Sequence, residues 1–384
     1  MLNEEKVEIS NSFIKHIHLE NYKSIKQADI NLTNLNILIG ANGAGKSNFI
    51  GFFAFLQQML KQNLRGYVMD KGRQDVFLCY GVKESDYLAA SIKFINAGVN
   101  AEVTYSINLN PTNEGVFRFN SEEFHANILD GDDKGFSHNT GNLGYESHIP
   151  YIINLADAAD NKDIGIGCVK IVDSKIQNIQ IFHFHDTSDS SPLKSTIVNN
   201  DNLYLRSNGA NLAAMLKLIY DNYSDYYRLI VDTIQMVVPD FHDFVIRDSE
   251  FITLEWFNKK NVDIPWKAHY LSDGSLRFIA LATLLLMPSK LQPQTIIIDE
   301  PELGLHPTAI HILSGLIKRA AQDRQIIIST QSPALLANLE PEDIIVVDKK
   351  GDYSEFMRLD KNNLKTWLQD FSLPELWEMN ILGG

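Results

Sequence analysis

The sequence predicts an α/β fold of two lobes, in which an antiparallel β subdomain and a helical insertion interrupt a parallel sheet. Three observations predict it. Residues 35–39 (LNILI) form a short continuous apolar run that stops at Gly40, as in a strand buried on both faces; a glycine-rich loop follows. Beyond it Phe49, Phe52, Phe53, Leu56, Met59 and Leu60 recur at three- and four-residue steps, the pattern of a helix with one apolar face. After Leu271 the strand–helix alternation returns: a helix around 276–286, a strand at 295–298, a helix near 308–321, and strands at 325–329 and 343–347.

Between these blocks the pattern changes. Apolar residues at 13–19 suggest a first strand that ends at Asn21. From 76 to 128, period-two stretches at 89–95 and 103–109 are separated by Asn, Gly and Pro turns and read as the antiparallel subdomain. Residues 129–148 have few large apolar side chains and read as an exposed loop. Residues 203–257 read as mainly helical, with Leu212, Leu216 and Ile219 on one face and Pro239 as a breaker. The expected organisation is a lobe over 13–185, a second over 196–350 and a tail over 351–384, together one discontinuous unit. No internal repeat and no sustained heptad occur between 51 and 270.

Composition excludes several classes. With 384 residues, 45% hydrophobic and 21% charged, the chain is neither disordered nor fibrous. A net charge of −14 repels phosphate backbones, so nucleic-acid contact would need a local basic patch. Cys79 and Cys168 lack paired metal or disulfide spacing, and the polar start MLNEEKVEIS is unlike a signal peptide. The expectation is a reducing, cytoplasmic setting with no membrane.

Gly40-Ala41-Asn42-Gly43-Ala44-Gly45-Lys46-Ser47, with Asn48 next, fits the phosphate-binding P-loop pattern and stands between a predicted strand and a predicted helix. Backbone N–H groups would close around the phosphates of ATP, Lys46 would reach the β/γ oxygens and Ser47 would ligate Mg2+. Residues 295–300 are an apolar strand ending in Asp299 and Glu300, where open α/β sheets bind ligands. Asp299 would hold Mg2+ and Glu300 would polarise the attacking water. Taken alone, such a carboxylate pair is more often a helix cap or a solvated turn; with Lys46 in the same chain the functional reading prevails. Leu271-Ser272-Asp273-Gly274 precedes a helix and by residue type is only an N-cap.

The order of these segments resembles ATP-binding-cassette (ABC) ATPases: P-loop, long insertion, the 271–275 segment as a variant signature, Walker B at 296–300, then Gln331 at the switch position. Glu20-Asn21-Tyr22-Lys23-Ser24 resembles the opening of RecF- and SMC-type heads, and Asp299-Glu300-Pro301-Glu302-Leu303-Gly304-Leu305-His306-Pro307 resembles the overcoming-lysogenisation-defect (OLD) branch. The resemblance implies an ABC-type P-loop ATPase head that forms a homodimer across a composite ATP site. Asn21, Lys23 and the signature residues Leu271 to Gly274 would then contact nucleotide, and residues 303–307 would be the D-loop. It also implies a role in DNA surveillance, repair or anti-phage defence, with a separate nuclease or toxin chain as effector because only 51 residues follow Pro333. DNA itself is a further candidate partner, as in RecF. Gln331 stands where histidine is common and cannot titrate, so slow hydrolysis is expected, and a nucleotide-binding regulator with negligible turnover stays open. Gln74 is a candidate metal-side glutamine or an ordinary one. His183 and His185 share one strand face, with a structural role favoured over a metal site; Arg277 reads equally as a ligand contact or as an exposed arginine.

Overall fold

A computed structural model of the protein describes residues 12–96, 101–128, 136–159 and 164–382; the polar start, residues 129–135 of the expected loop and the last two glycines lie outside them. The chain divides into two compact units. The first comprises Met1–Ile179, Glu342–Asp360 and Leu382–Gly384, the second Gln180–Pro341 and Lys361–Ile381. The expected lobes ended at 185 and 350; the units instead part at 179/180 and 341/342, and most of the tail returns to the second unit.

Along the first unit run β1 (Ser12–Tyr22), β2 (Ile25–Asn31), β3 (Leu35–Ile39), α1 (Lys46–Leu60) and α2 (Leu64–Asp70). Then come β4 (Leu88–Asn96), β5 (Ala101–Pro111), β6 (Phe117–Ile128), β7 (Phe136–Asn139), α3 (Ile149–Ala158) and α4 (Ile164–Gln177). The second unit holds β8 (Ile179–Phe182) from its second residue on, β9 (Ile197–Val198), α5 (Leu212–Asn222), α6 (Ser224–Val237), β10 (Phe241–Phe244), β11 (Phe251–Ile252), β12 (Glu255–Asn258) and β13 (Asn261–Lys267). It continues with α7 (Asp273–Leu286), β14 (Thr295–Asp299), α8 (Pro307–Ala320) and β15 (Gln325–Thr330). The chain returns to the first unit for β16 (Ile344–Lys350) and β17 (Tyr353–Arg358), and ends in the second with α9 (Lys361–Leu364) and α10 (Leu373–Glu378).

The first unit contains the expected antiparallel sheet, ordered β2-β1-β4-β5-β6-β7. Alternation along β5 buries Val103, Tyr105, Ile107 and Leu109 on one face. The apolar face of α1 is buried through Phe49, Phe52, Phe53, Phe55, Leu56, Met59 and Leu60, and Phe55 meets Tyr22, Phe77 and Phe117 edge-on or tilted. β3 is buried at every residue and pairs in parallel with β16, whose other neighbour is β17.

Residues 136–148 are more ordered than their composition suggests. β7 pairs with β6, and Asn142 and Ser147 are buried because Glu122, fully buried on β6, gathers them. Its carboxylate accepts from Tyr105 Oη (2.7 Å), Asn142 Nδ2 (2.8 Å), Ser147 Oγ (2.6 Å) and His148 N (2.8 Å).

In the second unit β14 and β15 run parallel in register, Ile296 to Ile298 opposite Ile326 to Ile328. The α7 residues from Phe278 to Leu286 are all buried, as in a helix enclosed on all sides. Residues 241–257 depart from the helical expectation: β10 and β12 form an antiparallel sheet with β13, ordered β10-β12-β13, and β11 pairs with β9. Pro239 and Pro265 oppose helix, Phe241 stacks on Trp256 with centroids 6.0 Å apart, and Trp266 meets Trp256 at a tilt, 5.9 Å away.

Glu122→Leu would take the acceptor from the buried Tyr105 and Ser147 hydroxyls, from the half-buried His148 N and from one of the two bonds of Asn142 Nδ2, at about 1–3 kcal/mol for each donor left unpaired. A loss of at least about 3 kcal/mol in urea denaturation is expected, and a loss below about 1 kcal/mol would contradict the network's role.

Candidate functional site

In the first unit, residues 40–45 turn β3 into α1. A Cβ on Gly40 would lie 2.1 Å from the Val347 carbonyl oxygen of β16, and one on Gly45 would lie 2.1 Å from Ser354 Oγ of β17. Gly43 and Gly45 also have φ of +78° and +122°, which disfavours any side chain. Ala41, Asn42 and Gly43 are exposed at the loop tip while Ala44 is buried. The buried Lys46 ammonium donates to the carbonyls of Gly40 (2.6 Å) and Ala41 (3.0 Å). Ser47, one residue on, is exposed in the first turn of α1.

A hydrogen-bond chain ties this loop to the end of β1. Asn48 Nδ2 donates to Ser24 Oγ (2.7 Å), Ser24 Oγ bonds Ser354 Oγ (2.7 Å), and Ser354 Oγ donates to the Ala44 carbonyl (2.5 Å). Asn21 and Lys23 have left-handed backbones, with φ of 56° and 50°. The Asn21 carbonyl accepts from Cys79 N and Lys23 N donates to the Phe77 carbonyl, so the bend is held from both sides. Asn21 Oδ1 is buried without a hydrogen-bond partner. The Lys23 ammonium lies over the rings of Tyr22 (5.5 Å) and Phe77 (5.9 Å); burial, with Lys71 adding, lowers its pKa.

Gln74, expected as a metal-side glutamine or an ordinary one, is buried and hydrogen-bonded within its own unit. Its amide donates to the Thr112 carbonyl (2.9 Å) and accepts from Thr112 N (2.8 Å), so it clamps the end of β5.

In the second unit, Asp299 closes β14 and Glu300 follows with φ of 44°, a left-handed backbone that turns the chain at the strand end. Asp299 Oδ1 is buried without a hydrogen-bond partner, and its carbonyl accepts from His185 Nε2 (2.8 Å). The Gln331 side-chain amide donates to Glu300 Oε1. Two residues on, Glu302 is buried and its Oε1 accepts from Thr330 Oγ1 (2.5 Å) and Gln331 N (3.2 Å). Burial raises the Glu302 pKa; its hydrogen bonds oppose the rise and the Glu300 charge adds to it.

The 271–274 segment stands at the start of α7. Leu271 is buried, Ser272 Oγ caps the helix by accepting from Ser275 N (3.2 Å), and Asp273 supplies an acid to its first turn. A Cβ on Gly274 would lie 2.4 Å from the Gly304 carbonyl oxygen, so the signature helix and the 303–307 loop touch. Arg277 is engaged by backbone: it donates to the carbonyls of Leu303 (2.6 Å), His185 (2.6 Å) and Phe184 (3.1 Å). His185 therefore has a structural contact at Asp299, and no group of three metal-type side chains occurs among the described residues.

Among the expected residues, the structure gathers the P-loop with Ser24 and Asn48 in one unit, and Asp299, Glu300 and Gln331 in the other. Ser354 and the pairing of Glu302 with the switch were missed. Ser354 sits in an ordinary strand with no motif around it; Glu302 could have been found as the second glutamate of the Asp299–Glu302 run.

Residues 35–337 match the family described as "AAA domain, putative AbiEii toxin, Type IV TA system". The chain belongs to this family, and its family and fold are those of an ABC-type ATPase. No curated protein matches it. Among solved structures it is similar to an SMC head bound to the C-winged helix domain of ScpA, with a TM-score of 0.59, 16% identity, and coverage of 92% of this chain and 99% of that one. It is also similar to a Pyrococcus furiosus Smc head with an extended coiled coil bound to the C-terminal domain of ScpA (TM-score 0.55, 16% identity, 94% and 99% covered). At such identity the likeness is one of fold. No helix among the described residues is long and apolar enough to cross a membrane.

Two outcomes test these assignments. Gln74→Ala is expected to lower stability by about 1–2 kcal/mol while leaving Mg2+-dependent nucleotide binding unchanged, read by urea melts and titration; weaker Mg2+ dependence would restore its metal role. For Glu302, an acid whose pKa is higher folded than unfolded holds its proton more tightly when folded. Its stabilisation is full below the unfolded value and is lost as pH rises through the folded one. Glu302→Gln cannot ionise, so its urea midpoint should fall less than that of the wild type as pH rises from about 4; parallel curves would contradict the raised pKa.

Proposed function

We propose that this member of the family is an ATP-binding and ATP-hydrolysing switch of the RecF/OLD-like ABC class, which dimerises around nucleotide in DNA surveillance, repair or anti-phage defence. The observation that carries the reading is Asp299 Oδ1, a buried carboxylate oxygen without a partner at the end of a parallel strand, beside a glutamate held by a switch glutamine. A buried acceptor left unpaired costs about 1–3 kcal/mol, a cost that a ligand or hydrated cation would remove. The unpaired carboxylate oxygen of Asp299 fits the hydration shell of a Mg2+ ion brought in with a nucleotide, and the ion would neutralise charge on the phosphates.

The chain's own groups divide the remaining work. The loop N–H groups from Gly43 to Ser47 would cradle the phosphates, and Lys46 would exchange its two carbonyl partners for phosphate oxygens. Glu300 would accept the proton of the attacking water, oriented by the Gln331 amide. Gln331 donates a hydrogen bond but carries no titratable proton, which favours slow turnover.

Dimerisation is supported by exposed apolar side chains beside the segments that touch at Gly274 and Gly304. Tyr270 is 69% exposed and Leu303 45%. The γ-phosphate would supply differential affinity for the closed dimer, and hydrolysis would remove it. The family's description names a "putative AbiEii toxin" of a type IV toxin–antitoxin system, which suits a defence setting.

Light scattering with and without ATP and Mg2+, with phosphate release read in the same samples, tests the reading. Glu300→Gln is expected to become stably larger with ATP while the wild type hydrolyses slowly; no change of size and no phosphate from either protein would remove it.

A further inference from the structure

Glu302 is a buried carboxyl group where a neutral side chain would cost less desolvation. Its Oε2 has no hydrogen-bond partner, so only Oε1 is used, and both of its bonds go to the two residues where β15 ends. Thr330 Oγ1 donates to Glu302 and accepts from Ser332 N (3.0 Å), which fixes the backbone on both sides of Gln331. The turn that brings Glu302 there starts at the left-handed Glu300 and is closed by Leu303 N to the Glu300 carbonyl (3.2 Å) and Leu305 N to the Glu302 carbonyl (3.0 Å). One turn of chain thus presents two carboxylates to one residue: Glu302 takes the main-chain N–H of Gln331 and Glu300 its side-chain amide.

We propose that Glu302 is a positioning residue for hydrolysis, which pins the Thr330–Ser332 backbone so that the Gln331 amide stays on Glu300. The inference rests on the reading of Glu300 as the base. Without the pin, residues 330–332 leave β15 with no side-chain acceptor for Gln331 N, and the Gln331 amide loses its fixed origin. The chemistry needed is one oxygen acceptor at Oε1, which an amide supplies as well as a carboxyl group does.

The full chain is compared as wild type, Glu302→Leu, Thr330→Val and Glu302→Gln. Hydrogen exchange of residues 329–333 is read without nucleotide, and kcat, KM for ATP and melting temperature with ATP and Mg2+. Glu302→Leu and Thr330→Val are expected to speed exchange of the Gln331 and Ser332 amides and to lower kcat by ~10- to ~100-fold, the scale of an ångström-level misplacement. KM should stay near wild type, the melting temperature should fall only by the loss of these hydrogen bonds without loss of the folded state, and Glu302→Gln should recover most of the rate. Unchanged exchange in Glu302→Leu overturns the pin. Faster exchange with wild-type kcat overturns its part in hydrolysis, as does a lost rate that Glu302→Gln fails to recover. A wild type that releases no phosphate overturns the reading of Glu300 and this role with it, a failure distinct from that of the pin because exchange is measured without nucleotide.

Discussion

The glycine loop closes only because Gly40 and Gly45 have no side chains. The carbonyl of Val347 and the hydroxyl of Ser354 occupy the places their Cβ atoms would take. The β16–β17 hairpin, some three hundred residues later in the chain, therefore forms one wall of the P-loop, and the loop's shape depends on a tertiary contact as much as on local freedom. Ser354 extends the contact through Ser24 to Asn48, so three segments far apart in sequence set where the N–H groups of the turn point.

The second unit meets the same problem with charged and polar side chains. Its site lies where β14 and β15 end, and strand ends leave backbone groups that need partners. Arg277 takes three of those carbonyls and joins the signature helix to the 303–307 loop and to the 184–185 segment. His185 continues the link to the Asp299 carbonyl, so the carboxylate proposed for metal and the signature helix share one hydrogen-bonded frame. Gly274 packs against the Gly304 carbonyl, so the start of α7 and the turn that follows Asp299 touch directly.

Buried polarity is used in two ways. Glu122 in the first is satisfied by four donors and stabilises a loop that composition alone reads as exposed. Asp299 and Glu302 in the second each keep one buried oxygen unpaired. Incomplete satisfaction of this kind is costly for stability and is expected where a ligand or a moving element completes the set.

The sequence alone determined the α/β class, the strand–loop–helix at 35–60, the antiparallel subdomain, and the candidate residues of the two motif-bearing ends. Each follows from local rules: apolar periodicity sets element type, and phosphate binding needs glycines and a lysine at close spacing. It did not determine the β10-β12-β13 sheet, because the aromatic contacts that hold it join residues 10 and 15 positions apart on different strands and leave no local pattern along the chain. Nor did it reveal the clamp roles of Gln74 and Arg277 or the pairing of Glu302 with the switch. A glutamine, an arginine or a glutamate has the same local signature whether it meets a ligand or a backbone carbonyl, and only the tertiary structure decides which polar group lies within 3 Å of it.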